Sequence, residues 1–209
     1  MKTRPTRIPL FPLDVVLLPG MAMPLHIFEP RYKQMIGKCL ADDSEFGMIL
    51  ATSKGIATVG CAAAIVEKVK DYPDGRMDIL AEGRAVFDVR EILEEQPYYE
   101  AIVAYLEDEP ASLDPAAEKK LRKTFDDCHE LIYGQEWEDD EGDEAAEPLA
   151  YRLAAMLPME LEEKQRLLEM RNEIDRRAFL QPWLEQLLPK LLHRQQVRQR
   201  ASGNGHGLN

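Results

Sequence analysis

The segment PLFPLDVVLLPGMAMPLHIFEPRYKQMI, residues 9–36, constrains the fold more than any other part of the chain because it holds five of the fourteen prolines. A proline inside a strand removes a backbone donor, so the apolar runs IPLF and VVLLPG are predicted to be edge or bulged strands. Met23, Leu25 and Ile27 then alternate with other residues, which is the period of a strand with one buried face. After Glu29-Pro30 the apolar residues fall at helical spacing, and proline is favoured at the first helical position. A strand followed at once by a helix is therefore expected here.

The remainder of the first 110 residues has the pattern of short strands separated by polar turns. The predicted strands are FGMILAT (46–52), VGCAAAIVEKVK (59–70), MDILAEG, RAVFDVREI and YYEAIVAYLED (98–108). Gly83 and Arg84 are predicted to form a tight turn between two of these strands. Six or seven strands with one early helix are typical of a small barrel or rolled sheet.

The composition changes after residue 110 and favours helices. Asp114-Pro115 forms a good N-cap and first turn, while EWEDDEGDEAAE (136–147) places eight acidic side chains in twelve residues and is expected to be a solvated loop. Further helices follow Pro148, and Pro182 and Pro189 are candidate bends in the last one. We therefore predict a β-rich subdomain at 7–110, a helical bundle at 111–195 and a disordered tail at 196–209.

Charge and cysteine content narrow the class of protein. A formal net charge of −12 argues against nucleic-acid binding, which needs a basic face. Three cysteines form no CxxC pair and predict reduced thiols, hence a cytoplasmic protein. The N-terminal segment has no uninterrupted apolar run, so no signal peptide is predicted, and no apolar stretch of about 18 residues predicts a membrane span.

Sequence motifs for catalysis, metal binding and cofactor binding are missing. The chain has no GxxxxGK[ST] phosphate loop, no GxSxG nucleophile and no HExxH metal motif. Cys128 and His129 are neighbours on a predicted helix, where their side chains diverge by about 100°. We predict no catalytic residue, no metal and no cofactor.

The candidate binding residues all lie in PLHIFEPRY. They are His26, Phe28, Glu29, Arg31 and Tyr32. Each also has an architectural alternative: His26 bonding a neighbouring backbone group or carboxylate, Glu29 pairing with Arg31, and the two aromatic rings packing in or beside the core. The sequence favours architecture first and ligand contact second.

The same segment resembles the opening signature of the Lon protease N-terminal domain family, which has a Leu-Phe-Pro-Leu run, then Pro-Gly, then Pro-Leu-His-Ile-Phe-Glu-Pro-Arg-Tyr. The later segments VGCAAAIVEKVKDYPDGRMDILAEGRAVFDV and AAMLPMELEEKQRLLEMRNEIDRRAFL are also similar to that family, so the resemblance covers about residues 7 to 192.

The resemblance implies an α+β fold, with a PUA-like β pseudobarrel followed by an α-helical bundle. The chain departs from full-length Lon because it carries neither the ATPase module nor the Ser–Lys protease domain, so we expect a stand-alone, non-catalytic domain that is not an enzyme. The expected partners are unfolded or partly unfolded polypeptides or a partner protein, with no nucleic acid and no membrane. Two alternatives remain open: a small-ligand-binding protein on a PUA-like barrel, and an adaptor that docks on a protease complex.

Overall fold

The computed structural model describes residues 4–110, 112–138 and 148–203. The chain forms two compact units, one comprising Met1–Asp108 with Pro158–Arg171 and the other Glu109–Leu157 with Asn172–Asn209. The single boundary expected near residue 110 therefore does not describe segment 158–171, which belongs with the strands.

The first unit is built on a six-stranded mixed sheet. Its elements are β1 (Arg7–Leu13), β2 (Ala22–Ile27), α1 (Pro30–Asp42), β3 (Phe46–Thr52), β4 (Gly55–Asp71), β5 (Met77–Leu93), β6 (Glu100–Tyr105) and α4 (Leu161–Glu169). The strand order is β2-β5-β4-β3-β1-β6, and β5 also pairs with β6. That last pairing closes five strands into a pseudobarrel and leaves β2 attached to β5 outside the closed ring. The predicted α+β class with a β pseudobarrel is confirmed.

Strand β5 differs from the expectation of two strands joined by a tight turn at Gly83 and Arg84. It is one strand of 17 residues, and its pairing with β4 shifts between Ala62 and Ala63, leaving Arg84 as an extra residue in a bulge. Glycine is needed at position 83 because a Cβ atom there would lie 2.2 Å from the carbonyl oxygen of Leu18. The residue permits a close approach of two backbones rather than a turn.

Strand β1 is also not the edge strand that its prolines predicted. Residues Arg7–Pro9 pair with β6, whereas Leu10–Leu13 pair in parallel with β3. Because each half of β1 has a registered partner on one side, proline is tolerated within a strand that is interior in the sheet order. The second proline-bounded run, VVLLPG, is not a strand, although Val16, Leu17 and Leu18 are buried.

A core cluster fills the pseudobarrel. Its buried members are Ile8, Leu10, Ile49, Ala62, Phe87, Ala101 and Val103. They come from β1, β3, β4, β5 and β6, the five strands that close the ring. The apolar burial that stabilises this unit therefore depends on ring closure.

The second unit is helical and contains α2 (Pro115–Tyr133), α3 (Leu149–Ala155) and α5 (Glu173–Gly203). The predicted cap of α2 is confirmed, since the Asp114 carboxylate accepts a bond from the Ala116 N–H at 2.9 Å. Helix α5 is continuous through Pro182 and Pro189 and extends to residue 203, beyond the start of the expected tail at 196. Most of the predicted acidic loop, residues 139–147, lies outside the described residues, as do residues 204–209.

Candidate functional site

The predicted binding residues lie at the junction of β2 and α1. Strand β2 ends at Ile27, which is buried, and α1 begins at Pro30 after Glu29, whose extended backbone (φ −69°, ψ 137°) makes it the N-cap. Pro30 at the first turn costs no helical hydrogen bond. The strand-to-helix change read from residues 23–36 is confirmed, and it carries Phe28 out to the surface.

His26, Asp78 and Tyr72 form a polar cluster on the exposed face of β2 and β5. Residues 26 and 78 are directly opposite in the antiparallel ladder, and His26 Nδ1 lies 2.5 Å from Asp78 Oδ1. The Tyr72 hydroxyl donates to Asp78 Oδ2 at 2.8 Å. The hydrogen bond with His26, followed by that with Tyr72, lowers the pKa of Asp78 below its usual value. The carboxyl group is thereby held ionised between two aromatic partners.

Phe28 lies beside this cluster with 58% of its surface exposed. Its ring stacks on the His26 ring with centroids 5.9 Å apart, and the Tyr72 ring meets His26 edge-on at 5.7 Å. We refer to Pro24, His26, Phe28, Tyr72 and Asp78 together as the Phe28 surface. A large apolar ring held in place by neighbouring rings is a feature of surfaces that bind apolar groups.

Glu29, Arg31 and Tyr32 take architectural positions. Arg31 pairs with the Glu29 carboxylate at 2.9 Å, and its guanidinium lies over the Tyr32 ring at 4.5 Å. Tyr32 is 6% exposed and packs against Phe11 with ring centroids 4.1 Å apart. Burial, the largest cause, raises the pKa of its hydroxyl. Tyr32 is thus a core residue, whereas His26 and Phe28 are accessible.

Tyr72 and Asp78 were not predicted from the sequence as site residues. They flank the polar turn between β4 and β5, and Asp78 is 52 residues from His26. Only the β2–β5 register brings these groups together. The local signal for Tyr72 was its place in the turn segment DYPDGR, which equally fits an ordinary turn, and Asp78 lies outside that segment.

The described residues contain no group of three or more His, Cys, Asp or Glu side chains arranged to hold a metal ion. The three cysteines are free and buried, and burial raises the pKa of Cys61 to about 12 and that of Cys128 to about 11. At neutral pH these two thiols are therefore protonated and poor nucleophiles. In the part of the chain that the structure covers, no helix is both long and apolar enough to cross a membrane.

The helical unit has an open cleft of about 680 Å³ along α2. Cationic and acidic side chains alternate around it, including Glu118, Lys119, Arg122, Lys123 and Asp126. Glu118 and Arg122 already pair with each other at 2.9 Å. This cleft has a charged, internally paired lining, in contrast to the aromatic Phe28 surface.

The fold and the exposed cluster define a small α+β pseudobarrel domain with an accessible aromatic surface at a strand edge. The model of the ATP-dependent protease La (LON) substrate-binding domain matches residues 7–186, and the chain belongs to that family.

Similar proteins agree with this assignment. The chain is 27% identical over 208 residues to the Lon protease of Buchnera aphidicola subsp. Acyrthosiphon pisum, covering 92% of this chain and 26% of that relative. It is 31% identical over 110 residues to the Lon protease of Parabacteroides distasonis, covering 48% of this chain and 13% of that relative. The chain thus spans about a quarter or less of the length of these two relatives.

Two solved structures of Lon N-terminal domains are similar in fold to this chain. The crystal structure of a Lon N-terminal domain protein from Xanthomonas campestris aligns with a TM-score of 0.64 and 26% identity, covering 88% of this chain and 98% of that one. The N-terminal domain of a Mycobacterium avium complex Lon protease aligns with a TM-score of 0.64 at 16% identity, covering 86% of this chain and 98% of that one, which shows the fold alone.

Proposed function

We propose that this protein binds unfolded or partly unfolded polypeptide through the Phe28 surface and performs no catalysis itself. The family description, a substrate-binding domain of an ATP-dependent protease, supports polypeptide as the ligand class. The observation that supports the location is the exposure of Phe28, 58%, beside the contacting His26 and Tyr72 rings. Unfolded chains differ from folded ones chiefly in the apolar groups they present, and an exposed ring offers a place to bury them.

The non-catalytic proposal is supported by the chemistry of the described groups. Cys61 and Cys128 are buried thiols with raised pKa, and Asp78 is held ionised by two hydrogen bonds rather than placed beside a nucleophile. The buried free thiols also support a reducing, cytoplasmic setting. The exposed Phe28 ring and the stacked His26 ring suit non-covalent binding by aromatic stacking and apolar contact.

The experiment is a binding titration with a permanently unfolded probe, fluorescently labelled reduced and carboxymethylated lactalbumin, followed by anisotropy. Phe28→Ala is expected to weaken binding about tenfold, since burying a Phe side chain is worth about 1.5–3 kcal/mol. Ile174→Ala is the matched control because Ile174 is an exposed apolar residue, 45% accessible, on α5. Equal affinity of the Phe28→Ala variant and the wild type would refute the proposed surface, and absence of binding by the wild type would refute the function.

A further inference from the structure

Among the strands that the structure describes, β2 lies at one end of the strand order and pairs with β5 alone. Its outer edge therefore has no described partner. No described residue forms a hydrogen bond with the outward-facing backbone of residues 22–27. An edge of this kind is a template on which another extended chain can pair.

The ladder register fixes which groups face outward. The Gly83 N–H donates to the Met21 carbonyl at 3.0 Å, and pairing continues without a shift from Ala22 opposite Glu82 to Ile27 opposite Met77. Hydrogen-bonded and non-bonded pairs alternate in an antiparallel ladder. The backbone groups of Ala22, Pro24 and His26 therefore point away from β5.

The presence of proline at position 24 independently supports this assignment of outward-facing residues. Proline has no N–H and is tolerated in a strand where its nitrogen faces away from the ladder. The outer edge offers the N–H groups of Ala22 and His26 and the carbonyls of all three outward residues. Each of these three residues is exposed.

Two apolar side chains of β2 remain partly exposed, as expected for a strand that lacks a neighbour on one side. Ile79 and Ala81 on β5 are 1% and 0% exposed, whereas their β2 partners Leu25 and Met23 are only half-buried. A strand next to β2 would cover the remaining apolar surface of Met23 and Leu25. On the opposite face it would run beside the Phe28 surface.

We infer that β2 binds its polypeptide ligand by accepting an extended segment as an additional strand on this outer edge. This inference rests on the proposed function and specifies how the ligand is held: main-chain hydrogen bonds to Ala22 and His26, with alternate side chains against Met23, Leu25 and Phe28. Main-chain pairing is independent of side-chain identity, so the edge suits a ligand defined by being unfolded rather than by a particular sequence. Pro24 withholds one donor at the middle of the edge, which keeps pairing weak unless apolar side chains add to it.

The direct test is amide hydrogen exchange at single-residue resolution, with the protein free and saturated with the carboxymethylated lactalbumin probe. The outward amides of Ala22 and His26 are expected to exchange at least tenfold more slowly in the complex. The inward amides of Met23 and Leu25, already bonded to β5, serve as internal controls and should change far less. Unchanged exchange at both outward amides in a saturated complex overturns the inference.

A second test adds a donor to the edge. Pro24→Ala creates an outward N–H and is expected to tighten probe binding about threefold to tenfold, the effect of one additional hydrogen bond. If the ligand contacts only side chains, the same substitution removes apolar surface and leaves affinity unchanged or weaker, which overturns the inference.

The two proposals fail in distinguishable ways. Binding that depends on Phe28 but neither slows the Ala22 and His26 amides nor tightens with Pro24→Ala leaves the proposed function standing and overturns strand addition. If the wild-type protein does not bind the probe at all, both proposals are overturned. A thermal melt of the Pro24→Ala variant, expected within a few degrees of the wild type, shows that changes in affinity do not arise from unfolding.

Discussion

Two polar clusters, one in each unit, use similar side chains in opposite surroundings. In the strand unit, Asp78 bonds both His26 and Tyr72, and the side chains of His26 and Asp78 are 45% and 30% exposed. In the helical unit, Arg176 is fully buried, bonds Glu173 at 3.0 Å and Tyr151 at 3.2 Å, and lies over the Tyr151 ring. The first cluster lies on an accessible surface, while the second is enclosed by α3 and α5.

The hydrogen-bond partners indicate which of the two clusters stabilises the fold. Glu173 also accepts bonds from the Ala150 N–H and from Arg177, which in turn bonds Glu118 on α2. This network joins three helices, and a buried charge cannot lose its partner without a large cost. The exposed cluster joins only two paired strands and a turn, and water can replace any of its bonds. The exposed cluster is therefore the one at which we propose ligand binding.

The largest effect is expected for Arg176→Ala, which leaves Glu173 with one cationic partner fewer in a buried site. We expect the free energy of unfolding to fall by about 3–5 kcal/mol. Urea denaturation measures this loss, and Arg194→Ala, an exposed arginine on the same helix, is the control and should change stability by less than about 0.5 kcal/mol. A loss below about 1 kcal/mol for Arg176→Ala would show that the buried network is not architectural.

An effect of comparable size is expected at Tyr32, the buried aromatic residue that follows Pro30 and Arg31 on α1. Tyr32→Ala removes a buried ring that packs on Phe11 and is expected to cost about 3–5 kcal/mol. Tyr32→Phe keeps the ring and serves as the matched control, with an expected change below about 1 kcal/mol. Chemical denaturation of both variants checks the prediction, and similar losses for the two would mean that the hydroxyl, rather than ring packing, stabilises this position.

The third effect is small and depends on pH. Asp78→Asn removes an ionised acceptor whose pKa is lowered by His26 and Tyr72. A carboxyl group with a lowered folded-state pKa stabilises the protein above its unfolded pKa, about 3.9, and this contribution is lost as the pH falls below that value. The variant should therefore melt at a lower temperature than the wild type at pH 7, with the gap closing at pH 4 and below. A gap that is constant from pH 7 to pH 3 would contradict the electrostatic origin.

Local sequence patterns correctly predicted those secondary-structure elements that are determined by neighbouring residues. The alternation of Met23, Leu25 and Ile27 predicted β2, and Glu29-Pro30 predicted the start of α1, because period and capping are properties of neighbouring residues. Gly83 was misread as a turn because the carbonyl of Leu18, which requires the glycine, is distant in sequence.

The candidate site and the buried network depend on tertiary register and were only partly predictable. Asp78 meets His26 through the β2–β5 ladder although the two residues are 52 positions apart in sequence, so no local pattern contains that pair. Arg176 did have a signal: it precedes the buried Leu180 and Leu184 at four-residue spacing, and so lies on the apolar side of α5. Because α5 carries many charged residues, the sequence alone did not distinguish this buried arginine from exposed ones.

The smallest effect on stability is expected at the residue with the greatest proposed effect on binding. Phe28→Ala truncates a ring that is 58% exposed, so the free energy of unfolding should change by less than about 0.5 kcal/mol, as measured by urea denaturation. Tyr32→Ala, four residues later, is the contrasting variant, since its ring is buried. A loss above about 1.5 kcal/mol for Phe28→Ala would mean that its stacking on His26 supports the fold. The exposed cluster would then be architectural, like the buried one around Arg176, and the reason for placing ligand binding at Phe28 would be lost.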